Sequence, residues 1–385
     1  MLRYLQQNSI RGDGGVSTKV KANENTKSNR AGDTASEAAK SPQLDHNYFA
    51  NLIWQIADLL RGPYRPPQYE RVMLPMTVLR RFDCVLEQTK PKVLAEYDRW
   101  HSKLKDEALD ARLNEVAGQR FHNHSPLDFE KLKGDPDNIA AHLVSYIKGF
   151  SANVRRIFEY FEFENEIEKM REANILYLVV SKFCDVDLHP DRVQHEQMGL
   201  LFENLIRRFN ELANETAGDH FTPREVIRLM VSILFMHDDK LLATPGAVRK
   251  LLDPACGTGG MLAEAQNYLR EHHSAARLYV YGQDYNKRAF ATAASDMLMK
   301  QVDHNAADNN IRFGDSFIDD QFEQDTFDYF LSNPPFGVDW KTEGDSTRIR
   351  THFPTHRTGR LRARNERPDT GWRTLPDGRH IKIDD

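Results

Sequence analysis

Leu251-Leu252-Asp253-Pro254-Ala255-Cys256-Gly257-Thr258-Gly259-Gly260 is the stretch that decides the fold. It starts as a short apolar strand, reaches a carboxylate, and turns on closely spaced glycines. An apolar helical pattern follows over 260–272, with Met261, Leu262, Ala265 and Leu269 on one face. A second strand is expected over 278–284 and a helix over 286–300. Further strands are expected over 311–317 and 327–332. Strands alternating with helices predict a parallel, doubly wound α/β sheet.

Ligands of such sheets bind beyond the carboxyl ends of the strands. Asp253, Asp284 and Asp315 fall at those ends. Gly257, Gly259 and Gly260 lack Cβ atoms, so a ligand can approach the backbone. The helix that starts there favours an anion. The turn departs from the G-x-G-x-x-G dinucleotide pattern. An acid ending the second strand is placed to hydrogen-bond ribose hydroxyls. Together the turn and the acid indicate a nucleoside-containing ligand, without separating a nicotinamide cofactor from S-adenosyl-L-methionine. The fourth strand separates them. It ends in Asn333-Pro334-Pro335-Phe336. Two prolines stop further strand pairing and hold Asn333 rigidly. The Asn333 side-chain oxygen and the Pro334 carbonyl are two acceptors for an aromatic amine, and Phe336 offers a stacking face.

Upstream, Gly218-Asp219-His220-Phe221-Thr222-Pro223-Arg224-Glu225-Val226 precedes a helix with Val226, Leu229, Met230 and Ile233 on its apolar face. Thr222 to Glu225 fit a capping box with proline at the first helical position. A helix over about 194–213 connects this segment to what lies before it. Residues 45–185 read as a helical domain, with patterns at 49–60, 72–82, 139–149, 153–160 and 166–181. Residues 1–44 are polar and read as a disordered tail.

The whole chain of 385 residues carries −5. Residues 1–44 hold +3 and residues 341–385 hold +4, which leaves −12 for 45–340. An acidic body of this kind does not grip nucleic acid unaided, since that affinity comes from neutralising phosphates. Cys84, Cys184 and Cys256 are far apart with no CxxC, so neither a disulfide framework nor a zinc site is expected. Cys256 reads as a packing residue. No metal is expected, and no segment has the ~18 apolar residues of a membrane span. With no secretory leader pattern, a cytoplasmic location is expected.

In order, G-D-H-F-T-P-R-E-V, D-P-A-C-G-T-G-G-M-L, Y-G-Q-D, G-D-S-F and N-P-P-F-G-V-D-W resemble the modification subunit of type I restriction–modification systems. That family comprises adenine-N6 DNA methyltransferases with the gamma-class motif order. The resemblance implies a Rossmann-like S-adenosyl-L-methionine-dependent methyltransferase sheet behind a helical domain. It implies cofactor contacts from Asp219, His220, Phe221, Thr222, Pro223, Arg224, Asp253, Gly257, Thr258, Gly259, Gly260, Asp284 and Asp315. The family usually has Glu where Asp284 stands. The resemblance makes Asn333, Pro334, Pro335 and Phe336 catalytic, on an adenine flipped out of double-stranded DNA. It also implies a specificity subunit, a restriction subunit, and two modification subunits per specificity subunit.

The resulting division is a tail over 1–44, a helical domain over 45–185 and a connector over 186–217. A methyltransferase domain, incomplete at its carboxyl side, follows over 218–340. After Trp340 the family pattern is expected to stop. Arg348, Arg350, Arg357, Arg360, Arg362, Arg364 and Arg367 then crowd one stretch with no visible strand or helix period. Residues 341–385 read as frameshifted sequence, or else as a basic nucleic-acid arm. The competing function is a truncated, non-catalytic remnant that still binds the cofactor or partner subunits. A protein-glutamine methyltransferase shares Asn-Pro-Pro-aromatic but lacks the F-T-P-R-E segment.

Overall fold

The computed structural model describes residues 55–217, 222–273, 275–300, 310–316, 318–334, 372–374 and 380–382. The expected tail over 1–44, together with Phe49 and Ile53, lies outside the described residues.

The amino-terminal half is helical. After short 3-10 turns at Asp58–Leu60 and Pro66–Gln68 come α1 (Glu70–Leu86), α2 (Lys90–Trp100), α3 (Asp106–Ala117) and α4 (Phe129–Lys133). Then follow α5 (Ile139–Lys148), α6 (Ala152–Tyr160), α7 (Phe163–Glu172) and α8 (Leu176–Cys184). Helix α1 is the centre of this half. Val72, Met73, Met76, Val78, Leu79 and Phe82 are all buried, so nearly every face of the helix meets a neighbour. The helix expected over 166–181 is two helices. Asn174 adopts φ 55°, a left-handed conformation that asparagine tolerates, and the chain restarts in α8. Residues 89–133 hold α2, α3 and α4, which the apolar pattern did not reveal.

Arg81 on α1 is fully buried, and its guanidinium donates to the carbonyls of Leu188 and Val193, the latter at 2.8 Å. Burial pushes its pKa down to about 10. These bonds fasten α1 to the segment that leads into α9 (His195–Ala217). Helices α10 (Arg224–Met236) and α11 (Asp239–Leu242) follow.

The α/β half contains β1 (Val248–Asp253), α12 (Gly260–His272), β2 (Arg277–Asp284), α13 (Lys287–Lys300), β3 (Ile311–Phe313) and β4 (Tyr329–Phe330). These strands form one parallel sheet in the order β3-β2-β1-β4. Leu251 is in register with Val280 and Tyr329, and Gly282 with Ile311. The chain therefore runs outward through β2 and β3, then returns to the other side of β1. That reversal puts the switch point between β1 and β4, where open α/β sheets bind ligands.

Both halves share a packed seam. The Tyr160 ring lies 5.3 Å from Phe290 and 4.7 Å from Phe313, and Arg288 pairs with Glu162 at 2.9 Å. Near the carboxyl end, β5 (Trp372–Thr374) and β6 (His380–Lys382) pair antiparallel. Strand structure thus exists inside a stretch whose sequence showed no period.

Candidate active site

The site is built on the turn between β1 and α12. Asp253 ends β1 and is 1% exposed. Its Oδ1 accepts from the Ala255 N–H at 3.1 Å, which bends the chain. Gly257 and Gly259 take φ values of 54° and 85°, which disfavour a side chain. At Gly259 a Cβ would also sit 3.3 Å from the Ala293 Cβ on α13. Glycine is therefore needed there for both torsion and space.

Asp284 ends β2 and accepts the Gly257 N–H at 2.7 Å and the Asn286 N–H at 2.8 Å. It thus holds the glycine turn against β2. Asn286 in turn accepts from the N–H groups of Arg288 and Ala289 and caps α13. Asp284 is buried enough for desolvation to raise its pKa. Burial, reinforced by the Asp284 charge, pushes the Asp253 carboxyl up to about 7. Cys256 has the packing role expected of it. Its Sγ and Cβ lie where a Cβ on Gly282 would come within 2.8 and 2.9 Å, and burial pushes its thiol well up.

Across the switch point, Asn333 follows β4. Its Nδ2 donates to Thr222 Oγ1 at 2.8 Å. A cavity of about 190 Å³ lies between these parts. Its walls include Thr222, Asp253, Gly257, Thr258, Gly260 and Asn333, all expected site residues, together with Ile227, Met261 and Ala289. The Thr258 hydroxyl oxygen is buried with no hydrogen-bond partner among the described residues. A second cavity of about 480 Å³ lies between α9, α10 and α12 and shares Thr258 and Gly260 as a wall.

The remaining expected residues are placed differently. Pro223, Arg224 and Gly259 line the second cavity, and Arg224 pairs with Glu264 at 3.3 Å. Asp284 stands behind the turn. The Asp315 carbonyl accepts from Ile318 and Asp319, while the Ser316 hydroxyl donates to the Pro254 carbonyl. The β3 loop is thereby drawn against the β1 turn. Pro334 follows Asn333 on the described chain. Asp219, His220, Phe221, Pro335 and Phe336 lie outside the described residues.

Two local expectations are corrected. Helix α10 starts at Arg224 with Pro223 as its cap residue and no side-chain cap bond. The Thr222 hydroxyl is used on Asn333 instead. The buried face of α10 is Ile227, Val231 and Phe235. Val226, Leu229 and Ile233, expected to face the core, are exposed. Sequence reasoning also passed over Glu264, whose carboxylate pairs with both Arg224 and Arg228. An acid among the apolar-face positions of the predicted helix, three residues after Met261, was its only signal. Tyr285, directly after Asp284, was passed over too and is 53% exposed. An aromatic ring left in solvent at a strand tip is available to a ligand.

A parallel sheet with its cavity at the β1/β4 switch point, behind a helical half, defines a Rossmann-like methyltransferase class of fold. Residues 49–183 match the family described as the HsdM N-terminal domain, and residues 193–367 match N-6 DNA Methylase. The chain belongs to the type I restriction–modification methylase subunits. The second match runs past Trp340 to residue 367, which overturns the expectation that the family pattern stops there.

One relative, the type I restriction enzyme MjaIX methylase subunit of Methanocaldococcus jannaschii, is 26% identical over 322 residues. That alignment covers 81% of this chain and 54% of the relative. The EcoEI methylase subunit of Escherichia coli is 30% identical over 205 residues, covering 50% of this chain and 37% of that one. The chain spans about half the length of the first of these. The crystal structure of a type I methyltransferase subunit from Streptococcus thermophilus shares the fold, with a TM-score of 0.55 and 21% identity. It covers 77% of this chain and 64% of that chain. No described helix is long and apolar enough to cross a membrane.

Proposed function

We propose that this chain transfers a methyl group from S-adenosyl-L-methionine to the N6 amino group of adenine in double-stranded DNA. It does so as the modification subunit of a type I restriction–modification system. The observation that carries this reading is the meeting of Asn333 with Asp253 and the glycine turn around one cavity.

The residues present suit the cofactor. Open glycine backbone, an unsatisfied Thr258 hydroxyl and two buried carboxylates fit a cationic, hydroxyl-bearing nucleoside. When bound, the cofactor supplies an activated methyl on a positively charged sulfur, so no metal is required for activation. We assign the floor of its pocket to Asp253, Gly257, Thr258, Gly259 and Gly260, and one edge to Thr222, Pro223 and Arg224. Asp219, His220 and Phe221 belong to the same assigned edge. Asp284 supports the turn and keeps lone pairs for ribose hydroxyls, and Asp315 is assigned to the adenine ring.

Asn333 Oδ1 and the Pro334 carbonyl accept the two N6 hydrogens. This raises electron density on the nitrogen and aims its lone pair into the cavity. Positioning and preorganised dipoles then lower the barrier. The amine gives up one proton after it is methylated. Pro335 stiffens the loop, and Phe336 stacks on the flipped base. The target base must leave the duplex for its N6 to reach the site.

The acidic body fits a partner that supplies phosphate affinity. We assign that role to a specificity subunit holding two modification subunits, with a restriction subunit for cleavage. Transfer of a tritiated methyl to unmodified DNA tests the reading. Asn333→Ala is expected to lose transfer while keeping cofactor affinity. Full transfer by that variant ends the assignment.

A further inference from the structure

We propose that Glu264 is a positioning residue that holds one wall of the cofactor cavity against its floor. This inference rests on the reading of Thr222 to Arg224 as the edge of the cofactor pocket and of Gly257 to Gly260 as its floor. Glu264 lies on α12, one turn past Gly260, and is 9% exposed. Its Oε2 accepts from Arg224 Nε at 3.3 Å, and its Oε1 accepts from Arg228 Nε at 2.7 Å. A guanidinium only donates and an ionised carboxylate only accepts, so the polarity of both bonds is fixed. Arg224 and Arg228 stand four residues apart on α10, which puts them on one face of the helix. One carboxylate thus takes hold of the first two turns of α10.

Those turns carry the cavity wall. Thr222 lies just before them, and Ile227, between the two arginines, lines the cavity with it. The two ends of α10 are fastened by different forces. At the carboxyl end, the Phe235 ring lies 5.4 Å from Tyr268 of α12 and 5.0 Å from Tyr329 of β4. At the amino end no side-chain bond caps the helix, and Ile227 is the buried side chain of the first two turns. The hold there falls more heavily on Glu264. A wall that is in place only part of the time raises the apparent Kd in inverse proportion. Glu264 acts through the arginines and is not itself a catalytic residue.

The test uses the full chain, with calorimetric titration of S-adenosyl-L-methionine. Methyl transfer is then followed with its specificity subunit, tritiated cofactor and unmodified duplex DNA. Glu264→Gln keeps the shape and removes the charge. It is expected to raise the cofactor Kd about fivefold, the worth of one charge-assisted hydrogen bond discounted for the solvent around Arg228. Single-turnover transfer at saturating cofactor should change less than about twofold, and Tm should move by less than about 4 °C. Arg228→Gln, whose side chain is 56% exposed in the native chain, should raise the Kd in the same direction. The double variant should be no worse than Glu264→Gln alone, because both changes break one linkage.

A merely structural pair would lower Tm and leave the Kd alone, which overturns the proposal. If Glu264→Gln raises the Kd while Arg228→Gln does not, or the two effects add, Glu264 does not act through the arginines and the proposal fails. A loss of rate at saturating cofactor with an unchanged Kd overturns it as well. If the native chain binds cofactor and Glu264→Gln binds it equally well, only the positioning fails. If the native chain itself binds no cofactor, the reading beneath it fails and the proposal falls with it.

Discussion

The helical half and the α/β half treat their apolar residues differently. From α1 to α8, large apolar side chains turn inward, and Leu178 is the exposed exception among the described residues. From α10 to the β3 loop, Val226, Leu229, Ile233, Met236, Leu241, Val248, Tyr285 and Ile318 all stand in solvent. The first half buries its large side chains, and Arg81 bonds it to the segment that leads into α9. The second half spends its precision on one turn and one cavity. Stability should therefore reside in the helical half, and sensitivity to chemistry in the sheet.

The largest effect tests the first half. Phe82 is 1% exposed and its ring centroid lies 4.2 Å from that of Phe121. Phe82→Ala should cost about 3–5 kcal/mol, read by denaturant unfolding. A loss under about 1 kcal/mol would break the comparison. Asn333→Ala tests the other half. Methyl transfer should fall by about 10²–10³, the usual cost of one preorganised polar group, with the unfolding midpoint almost unmoved. A large fall in stability would mean that Asn333 is structural.

A pH effect of intermediate size comes from Asp253. Its carboxyl is held up to about 7, above its ordinary range. The fold thus favours the neutral form. That contribution is complete below about pH 4 and is lost as pH rises through about 7. The Tm of the chain should therefore fall from pH 5 to 8 relative to Asp253→Asn. Cofactor affinity should move oppositely, rising as the carboxylate forms. A flat difference in Tm would show that Asp253 is not held neutral. The smallest effect belongs to the α10 stripe. Leu229 and Ile233 are 61% and 54% exposed. Changing either to Gln should alter stability by within about 0.5 kcal/mol.

Local features were legible where one short segment contained all the physics. Helix α12 begins and ends where its pattern predicts, because Gly259 starts it and its apolar face is regular. Asp253, the glycines and the Asn333 motif were readable for the same reason. The strands were less so: β3 and β4 are only three and two residues long, shorter than their apolar runs. A strand extends only as far as its neighbour pairs with it.

The sequence by itself determined the alternation of strands and helices, the carboxylates at the strand ends and the motif order. These depend on residue type and spacing along the chain. Only the tertiary structure decided that β4 returns beside β1, which brings Asn333 to Asp253. It also decided which face of α10 is buried, and that Thr222 serves Asn333 rather than its own helix. The physical reason is shared by all three. A hydroxyl, a helix face or a strand edge has several competing partners of similar strength, and packing of distant segments selects one.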